Sequence, residues 1–347
     1  MLNRKRGTAA VLAALAVVAG GLTVWTSLAG ATSSRQLGTL RGAGSTFVVP
    51  LVTKWIQNYH ASSIQYSGIG SGGGISAISA RSVDFGASDA PLTRDQFSAC
   101  RGCVQIPWAF SATSIPYHVT GVGQGLKLTG KVLAEIYLGH IHYWDNPAIK
   151  KINKGTKLPH ERVVPIFRSD GSGTSYNFTD YLSHVSKAWK NRVGKGTQPN
   201  FPAGVGAKGS SGVAGKLNST PGGITYVDVA YSLKNKFTYA KIQNRAHRFM
   251  APNLISIRAA ARSLTRLHSK DNSITVVDPN PRQPKAYPIC TFTYVVVPLK
   301  SGKAPELKKF IDWAVTKGQS FGPKLLFVPL PKLVQKAARR TNARLHT

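Results

Sequence analysis

Seven consecutive residues, Arg168-Ser169-Asp170-Gly171-Ser172-Gly173-Thr174, place one guanidinium beside a run of small hydroxyl and glycine residues. The segment after them has Phe178, Tyr181, Leu182 and Val185 at i, i+3, i+4 and i+7, which predicts an amphipathic helix with one buried stripe. Amide groups at a helix N-terminus have no intrahelical partner and carry the positive end of the dipole, so this arrangement suits an oxyanion. Arg168 adds a planar, permanently charged fork, and Asp170 is placed to orient it. A Gly/Ser/Thr turn before an amphipathic helix recurs at Gly44-Ser45-Thr46-Phe47 and at Gly70-Ser71-Gly72-Gly73. If these helix starts converge, the ligand is small, polar and negatively charged. Taken singly, Thr46, Ser71, Ser172 and Thr174 could each merely cap a helix, worth about 1 kcal/mol apiece. The flanking glycines argue instead for close approach of backbone to an anion.

Asp89, in Phe85-Gly86-Ala87-Ser88-Asp89-Ala90-Pro91, narrows the ligand further. A carboxylate beside an anion site is repulsive unless the anion still has a proton to donate. Hydrogen phosphate has one and sulfate at neutral pH does not. The plainer alternative is a turn-forming Asp before Ala-Pro. Other patterns carry less. Gly68-Ile69-Gly70-Ser71-Gly72-Gly73 satisfies a dinucleotide fingerprint, a weak signal in a chain with 34 glycines. Gly125 to Lys131 nearly completes a phosphate-binding loop, but Val132 replaces the hydroxyl residue that would hold magnesium. His140-Ile141-His142 near Asp145 reads as a surface turn. No metal or cofactor is called for, and no residue is assigned a catalytic role.

The elements that must position these groups alternate between strand-like and helix-like, as in an α/β protein. A turn over 42–48 leads to a helix with Pro50 near its start and Val52, Trp55, Ile56 and Tyr59 on one face. A strand at 64–67, a glycine-rich turn at 68–74, a helix at 75–81 and a strand at 83–87 follow. Gln105–Val119 reads as a long strand broken at Pro107 and Pro116, with Tyr287–Pro298 as its C-terminal counterpart. The glycine-rich stretch 203–223 resembles a linker in composition, but Ile224-Thr225-Tyr226-Val227 follows it directly as a strand. Helical periodicity returns at 306–316, and the basic tail from Lys332 starts helical and then frays.

At 347 residues the chain is longer than one core usually serves, so two lobes are expected. Arg4, Lys5 and Arg6 precede an uncharged apolar run from Thr8 to about Leu28, which reads as a secretory signal over residues 1–31, cleaved near Ala29 or Ala31. An uncleaved membrane anchor is the alternative. The 45 Lys and Arg against 13 Asp and Glu give a net charge of +32, a general surface property that draws in small anions. The basic residues are dispersed and no nucleic-acid-binding pattern accompanies them, so nucleic acid is not an expected partner. In an exported chain Cys100 and Cys103 are expected to form a small-loop disulfide, leaving Cys290 as a buried small hydrophobe. A redox pair is the sharper alternative for the same two residues.

Taken together, Gly42-Ala43-Gly44-Ser45-Thr46-Phe47, the stretches 68–73 and 83–91, Ile136-Tyr137-Leu138-Gly139 and Arg168–Ser175 resemble the substrate-binding protein of the bacterial high-affinity phosphate ABC importer. The similarity runs from about Leu40 to Leu330. It implies a two-lobed periplasmic-binding-protein fold of type II, α/β in class, with phosphate enclosed at the cleft between lobes. Lobe one would combine 38–113 with 286–347 and lobe two would span 114–285. Thr46 and Phe47 would supply backbone and hydroxyl donors, Ser71 a hydroxyl and N–H, and Asp89 the proton-accepting carboxylate. Arg168, Ser172, Gly173 and Thr174 would come from the second lobe. The resemblance further implies a monomeric, non-enzymatic receptor. It would lie in the periplasm or outside the cell, at the outer face of the cytoplasmic membrane, and deliver phosphate to the permease and ATPase of an importer. A secreted phosphatase-like hydrolase on the same scaffold, or a basic wall-binding protein, would be the competing readings. The chain departs from the family at Gly74, around Cys100–Cys103, in its basic surface and in lacking a lipid-attachment cysteine.

Overall fold

A computed structural model describes residues 38–267 and 271–347. The expected signal or anchor at 1–31 lies outside the described residues. Along the chain, strand β1 (Thr39–Gly44) leads to helix α1 (Val49–Asn58), β2 (Ser63–Gly68) to α2 (Ser71–Ser79), and β3 (Phe85–Ser88) to α3 (Arg94–Ala99). Long β4 (Cys103–Ser114) is followed by the short strands β5 (Tyr117–His118) and β6 (Lys127–Leu128), then α4 (Gly130–Tyr137) and α5 (Pro147–Ile152). β7 (Val164–Arg168) enters α6 (Gly173–Val185), which is followed by α7 (Lys187–Arg192). Next come β8 (Val205–Ala207), α8 (Gly209–Asn218), β9 (Gly223–Ile224), β10 (Val227–Asp228) and α9 (Val229–Lys234). The chain finishes with β11 (Lys241–Gln243), β12 (Phe249–Met250), α10 (Leu254–Arg262), β13 (Cys290–Pro298), α11 (Ala304–Val315) and α12 (Lys332–Ala343).

Two sheets organise the site. The larger has six strands in the order β10-β4-β13-β3-β1-β2, with β1 parallel to β2 and β3, and β13 antiparallel to β3 and β4. Central β13 is an unbroken run of buried residues, as a strand covered on both faces must be. The smaller sheet has the order β5-β9-β7-β8, with β7 parallel to β8 and β9. A third, three-stranded sheet is β12-β11-β6. Beside the larger sheet the rings of Trp55, Phe85, Trp108 and Phe310 pack edge-on or tilted, with Trp55 and Trp108 centroids 5.1 Å apart. A six-stranded sheet and a separate four-stranded sheet are what the two expected lobes call for.

Several local expectations are corrected. Strand β1 occupies Thr39–Gly44, so the turn expected at 42–48 is only its second half. Pro107 does not break β4: the register shifts opposite Thr293/Tyr294, and a residue without an N–H is tolerated at such a bulge. The expected turn at 68–74 is largely the first part of α2. Its glycines are needed for proximity, since a Cβ on Gly74 would lie 2.4 Å from Gly44 Cα and 2.7 Å from the Ala43 carbonyl. The stretch 203–223 is no linker but carries β8 and α8. Residues 224–227 are not one strand: β9 pairs with β5 and β7 in the smaller sheet, and β10 pairs with Thr113 and Ser114 of β4 in the larger. The tail does not fray after its first turns, because α12 runs to Ala343, Leu345 is buried and the His346 N–H donates to the Leu299 carbonyl at 2.8 Å. Cys100 and Cys103 are disulfide-bonded, and Cys290 is a buried free thiol whose pKa burial pushes well above the usual value.

Candidate functional site

Each candidate residue stands at the C-terminal end of a parallel strand or at the start of the helix that follows it. Thr46 and Phe47 lie between β1 and α1, Ser71 opens α2, Asp89 follows β3, Arg168 ends β7, and Ser172 caps α6, which Gly173 and Thr174 begin. In open α/β sheets ligands bind at this edge. The structure brings all of these segments together, although they belong to two different sheets.

Ser71 sits at the seam. Its Oγ accepts the N–H of Gly173 at 3.0 Å and the N–H of Asp89 at 3.2 Å, and donates to Asp89 Oδ2 at 3.4 Å. The Gly72 N–H donates to the Gly171 carbonyl at 2.8 Å, joining the two glycine-rich turns directly. Gly70, with φ of +87°, takes a conformation open to glycine, and a Cβ there would lie 2.4 Å from Asp170 Oδ2. On the other side Thr46 Oγ1 and Ser210 Oγ are 2.8 Å apart, and the Ser210 N–H reaches Thr46 Oγ1 at 3.3 Å.

Arg168 is only 3% exposed. Its Nε and Nη2 donate to Asp170 Oδ1 and Oδ2 at 2.7 and 2.5 Å, a bidentate clamp that bears out the orienting role expected of Asp170. Asp170 Oδ1 also accepts the Gly209 N–H at 2.9 Å. Burial alone would raise the Asp170 carboxyl, but these hydrogen bonds and the Arg168 charge hold it below the ordinary range.

Asp89 is 1% exposed. Its Oδ1 accepts from Ser45 Oγ at 2.5 Å, and burial lifts its pKa to about 7 against the lowering by Ser45, Arg168 and Ser71. A carboxyl raised in the folded state binds its proton there more tightly than in the unfolded chain. Its contribution to stability is therefore complete below pH about 4 and is lost as the pH climbs through about 7. The ligand-free protein is expected to lose stability across that window by about 1.4 kcal/mol per pH unit relative to Asp89→Asn, measured by denaturant unfolding of both at each pH. Parallel stability curves for the two proteins would contradict this.

Not every candidate hydroxyl faces the same task. Ser172 Oγ accepts the Ser175 N–H at 3.1 Å and so caps α6, the plainer role weighed for it. Thr46 and Ser71 do not cap α1 or α2; Ser71 Oγ instead accepts the first amide of α6, and Thr46 Oγ1 an amide in the first turn of α8. Thr174 Oγ1 is buried without a hydrogen-bond partner among the described residues, so its proton is uncommitted. The Phe47 N–H donates to Ser45 Oγ at 3.1 Å, and its ring packs edge-on against Phe327.

Sequence reasoning passed over Ser45, Gly209, Ser210, Tyr226 and Asp228. Tyr226 Oη receives the Arg168 N–H at 3.0 Å and lies 2.7 Å from Ser175 Oγ, tying the guanidinium-bearing strand to α6. Gly209-Ser210-Ser211-Gly212, ahead of the buried Val213 and Leu217, repeats the same Gly/Ser turn before a helix. That signal was present but diluted by the glycines around it. Among the described residues no group of three or more His, Cys, Asp or Glu is placed to hold a metal ion. His140 and His160 instead pair with Glu135 and Asp145.

Residues 29–317 match the profile of the PBP superfamily domain. A phosphate-binding protein PstS of Xylella fastidiosa is 38% identical over 299 residues, covering 84% of this chain and 81% of that protein. One from Pasteurella multocida is 36% identical over 310 residues, covering 87% and 89%. Among solved structures, a high-affinity periplasmic phosphate-binding protein, PfluDING, bound with phosphate aligns at a TM-score of 0.70 with 20% identity, covering 87% of this chain and 93% of that one.

Proposed function

We propose that this chain, which belongs to the PstS phosphate-binding proteins within the PBP superfamily, binds inorganic phosphate outside the cytoplasmic membrane and delivers it to an ABC importer. The observation that carries the reading is the meeting of Ser71, Asp89 and Gly173 across two sheets, beside a buried Arg168 and an unpartnered Thr174 hydroxyl. In this reading the Arg168 guanidinium, the free Thr174 hydroxyl and the positive ends of α2, α6 and α8 stabilise the anion's charge. Thr46, Phe47, Ser71, Asp89, Arg168, Ser172, Gly173 and Thr174 are the proposed contacts, Ser172 through the proton of its hydroxyl, since its N–H is spent on the Thr197 carbonyl.

Asp89 sets selectivity in the same reading. As a carboxylate it accepts the hydroxyl proton of hydrogen phosphate, whereas fully ionised sulfate offers it nothing but repulsion. Asp89→Asn is expected to narrow the preference for phosphate over sulfate by about tenfold, read from parallel calorimetric titrations. An unchanged ratio would relieve Asp89 of this role.

The lobes are proposed to divide near residues 113/114 and 285/286, with β10 as the point where the second segment returns to the larger sheet. Closure over these crossovers would enclose the ligand. The cationic exterior would enrich phosphate at the mouth within about 8–10 Å, the reach that salt screening leaves it. Among the described residues no helix is long and apolar enough to cross a membrane. The protein is read as a binder rather than an enzyme, a reading supported by its relatives of 36–38% identity, which are phosphate-binding proteins. Titration calorimetry with phosphate, arsenate and sulfate tests the reading. One saturable phosphate site is expected, and the absence of any phosphate binding would end it.

A further inference from the structure

Asp228 is a fully buried carboxyl to which neither the sequence nor the contacts above give a task. It ends β10, and its Oδ1 accepts the Tyr231 N–H at 3.1 Å, capping α9. Its Oδ2 is buried with no hydrogen-bond partner among the described residues. The groups around it are few. Asp89 repels its charge, Arg168 attracts it, Tyr231 lies on its own helix, the Ser210 hydroxyl of α8 faces it, and β4 presents Thr113 opposite. Arg168 is already held by both oxygens of Asp170, so it does not serve as the counterion of a second carboxylate. An ionised Asp228 would be a bare charge in dry surroundings, next to another acid and to a site for an anion. Burial, reinforced by Asp89, raises its pKa well above the ordinary range despite the Tyr231 N–H and the nearby Ser210 hydroxyl, which lower it.

We infer that Asp228 stays protonated and is the first donor of a hydroxyl relay, Asp228 to Ser210 to Thr46, that turns the Thr46 proton toward the ligand. The inference rests on the phosphate reading and adds a positioning residue to it. The direction follows from counting protons at the Thr46–Ser210 pair, whose oxygens are 2.8 Å apart. A neutral Asp228 donates to Ser210 Oγ, the Ser210 hydroxyl then donates to Thr46 Oγ1, and the Thr46 proton is free for an anion. An ionised Asp228 takes the Ser210 proton, Thr46 must donate to Ser210, and neither hydroxyl has a proton left to offer. Since Ser210 and Thr46 start from different sheets, the relay also reports that the cleft is closed.

Infrared difference spectra of ligand-free wild type against Asp228→Asn, at mildly alkaline pH, should contain the C=O stretch of a protonated carboxyl assigned to Asp228. Its absence would overturn the inference. This measurement needs no phosphate, so it fails independently of the phosphate reading, which falls only if wild type does not bind. In calorimetry Asp228→Asn, which keeps the cap on α9 and offers an N–H donor to Ser210, should bind phosphate within about threefold of wild type. Asp228→Ala should bind about tenfold more weakly, and the same change made on Thr46→Val should cost nothing further. A loss in Asp228→Asn equal to that in Asp228→Ala, or a loss that persists with Thr46→Val, would reduce Asp228 to a helix cap. Should Asp228→Ala not fold, the spectrum and the Asn variant still decide.

Discussion

Arg168→Ala is expected to lower phosphate affinity by 2–5 kcal/mol, roughly thirtyfold to several thousandfold, the cost of removing one partner from a desolvated, hydrogen-bonded charge pair. The size follows from how the guanidinium is held. Arg168 ends β7, is almost wholly buried, and spends two of its donors on Asp170. Removing it takes a cation from the anion and also leaves the Asp170 carboxylate with uncharged backbone donors alone, Gly209 N–H and its own, close to the charge being bound. Part of the loss is therefore Asp170's repulsion, and Asp170→Asn in the Arg168→Ala background should recover some of it. Arg168→Lys should not match wild type, because a point charge cannot hold Asp170 in a fork. Calorimetry on the three variants checks this. An unchanged affinity in Arg168→Ala would remove the guanidinium from the site.

What could be read in advance, and what could not, follows from the range of the signals involved. The Arg168 motif, α6 and the Asp170 clamp lie within one short segment, so spacing alone announced them. The role of Ser71 was legible only as a choice between capping and binding, and contacts with Asp89 and Gly173, 18 and 102 residues away, decided it. Glycine misled where its reason was proximity rather than turning. Gly72, Gly73 and Gly74 lie inside α2, where two of the three let another backbone approach, yet a glycine run reads locally as a turn. Thr225 and Tyr226 posed the opposite problem, since a continuous β-forming stretch hides the point where the chain leaves one sheet for the other. Asp228 gave no signal at all. An acid before a helix is an ordinary cap, and only its complete burial beside Asp89 and Arg168 distinguishes it.

Gly173→Ala separates binding from stability most sharply. In the first turn of a helix alanine is intrinsically favoured over glycine, by up to about 1 kcal/mol, so the second lobe by itself should fold no worse. With the cleft closed, however, the added Cβ would lie 2.6 Å from both Cβ and N of Asp89 and 2.7 Å from Ser71 Oγ. Two of those atoms are backbone or next to it, and all three belong to segments carried by the other sheet, so the contact can be relieved only by holding the two sides apart. The expected result is phosphate binding weaker by about 1–3 kcal/mol or more, about fivefold to beyond a hundredfold, with the melting temperature of the ligand-free protein unchanged or raised. Gly215→Ala is the control: it too lies inside a helix, but its Cβ would meet no atom within 4 Å, and it should leave affinity alone. Small-angle scattering should show the phosphate-induced compaction of wild type and of Gly215→Ala diminished in Gly173→Ala. Wild-type affinity in Gly173→Ala would mean that the seam between Ser71, Asp89 and Gly173 is not how this protein closes on its ligand.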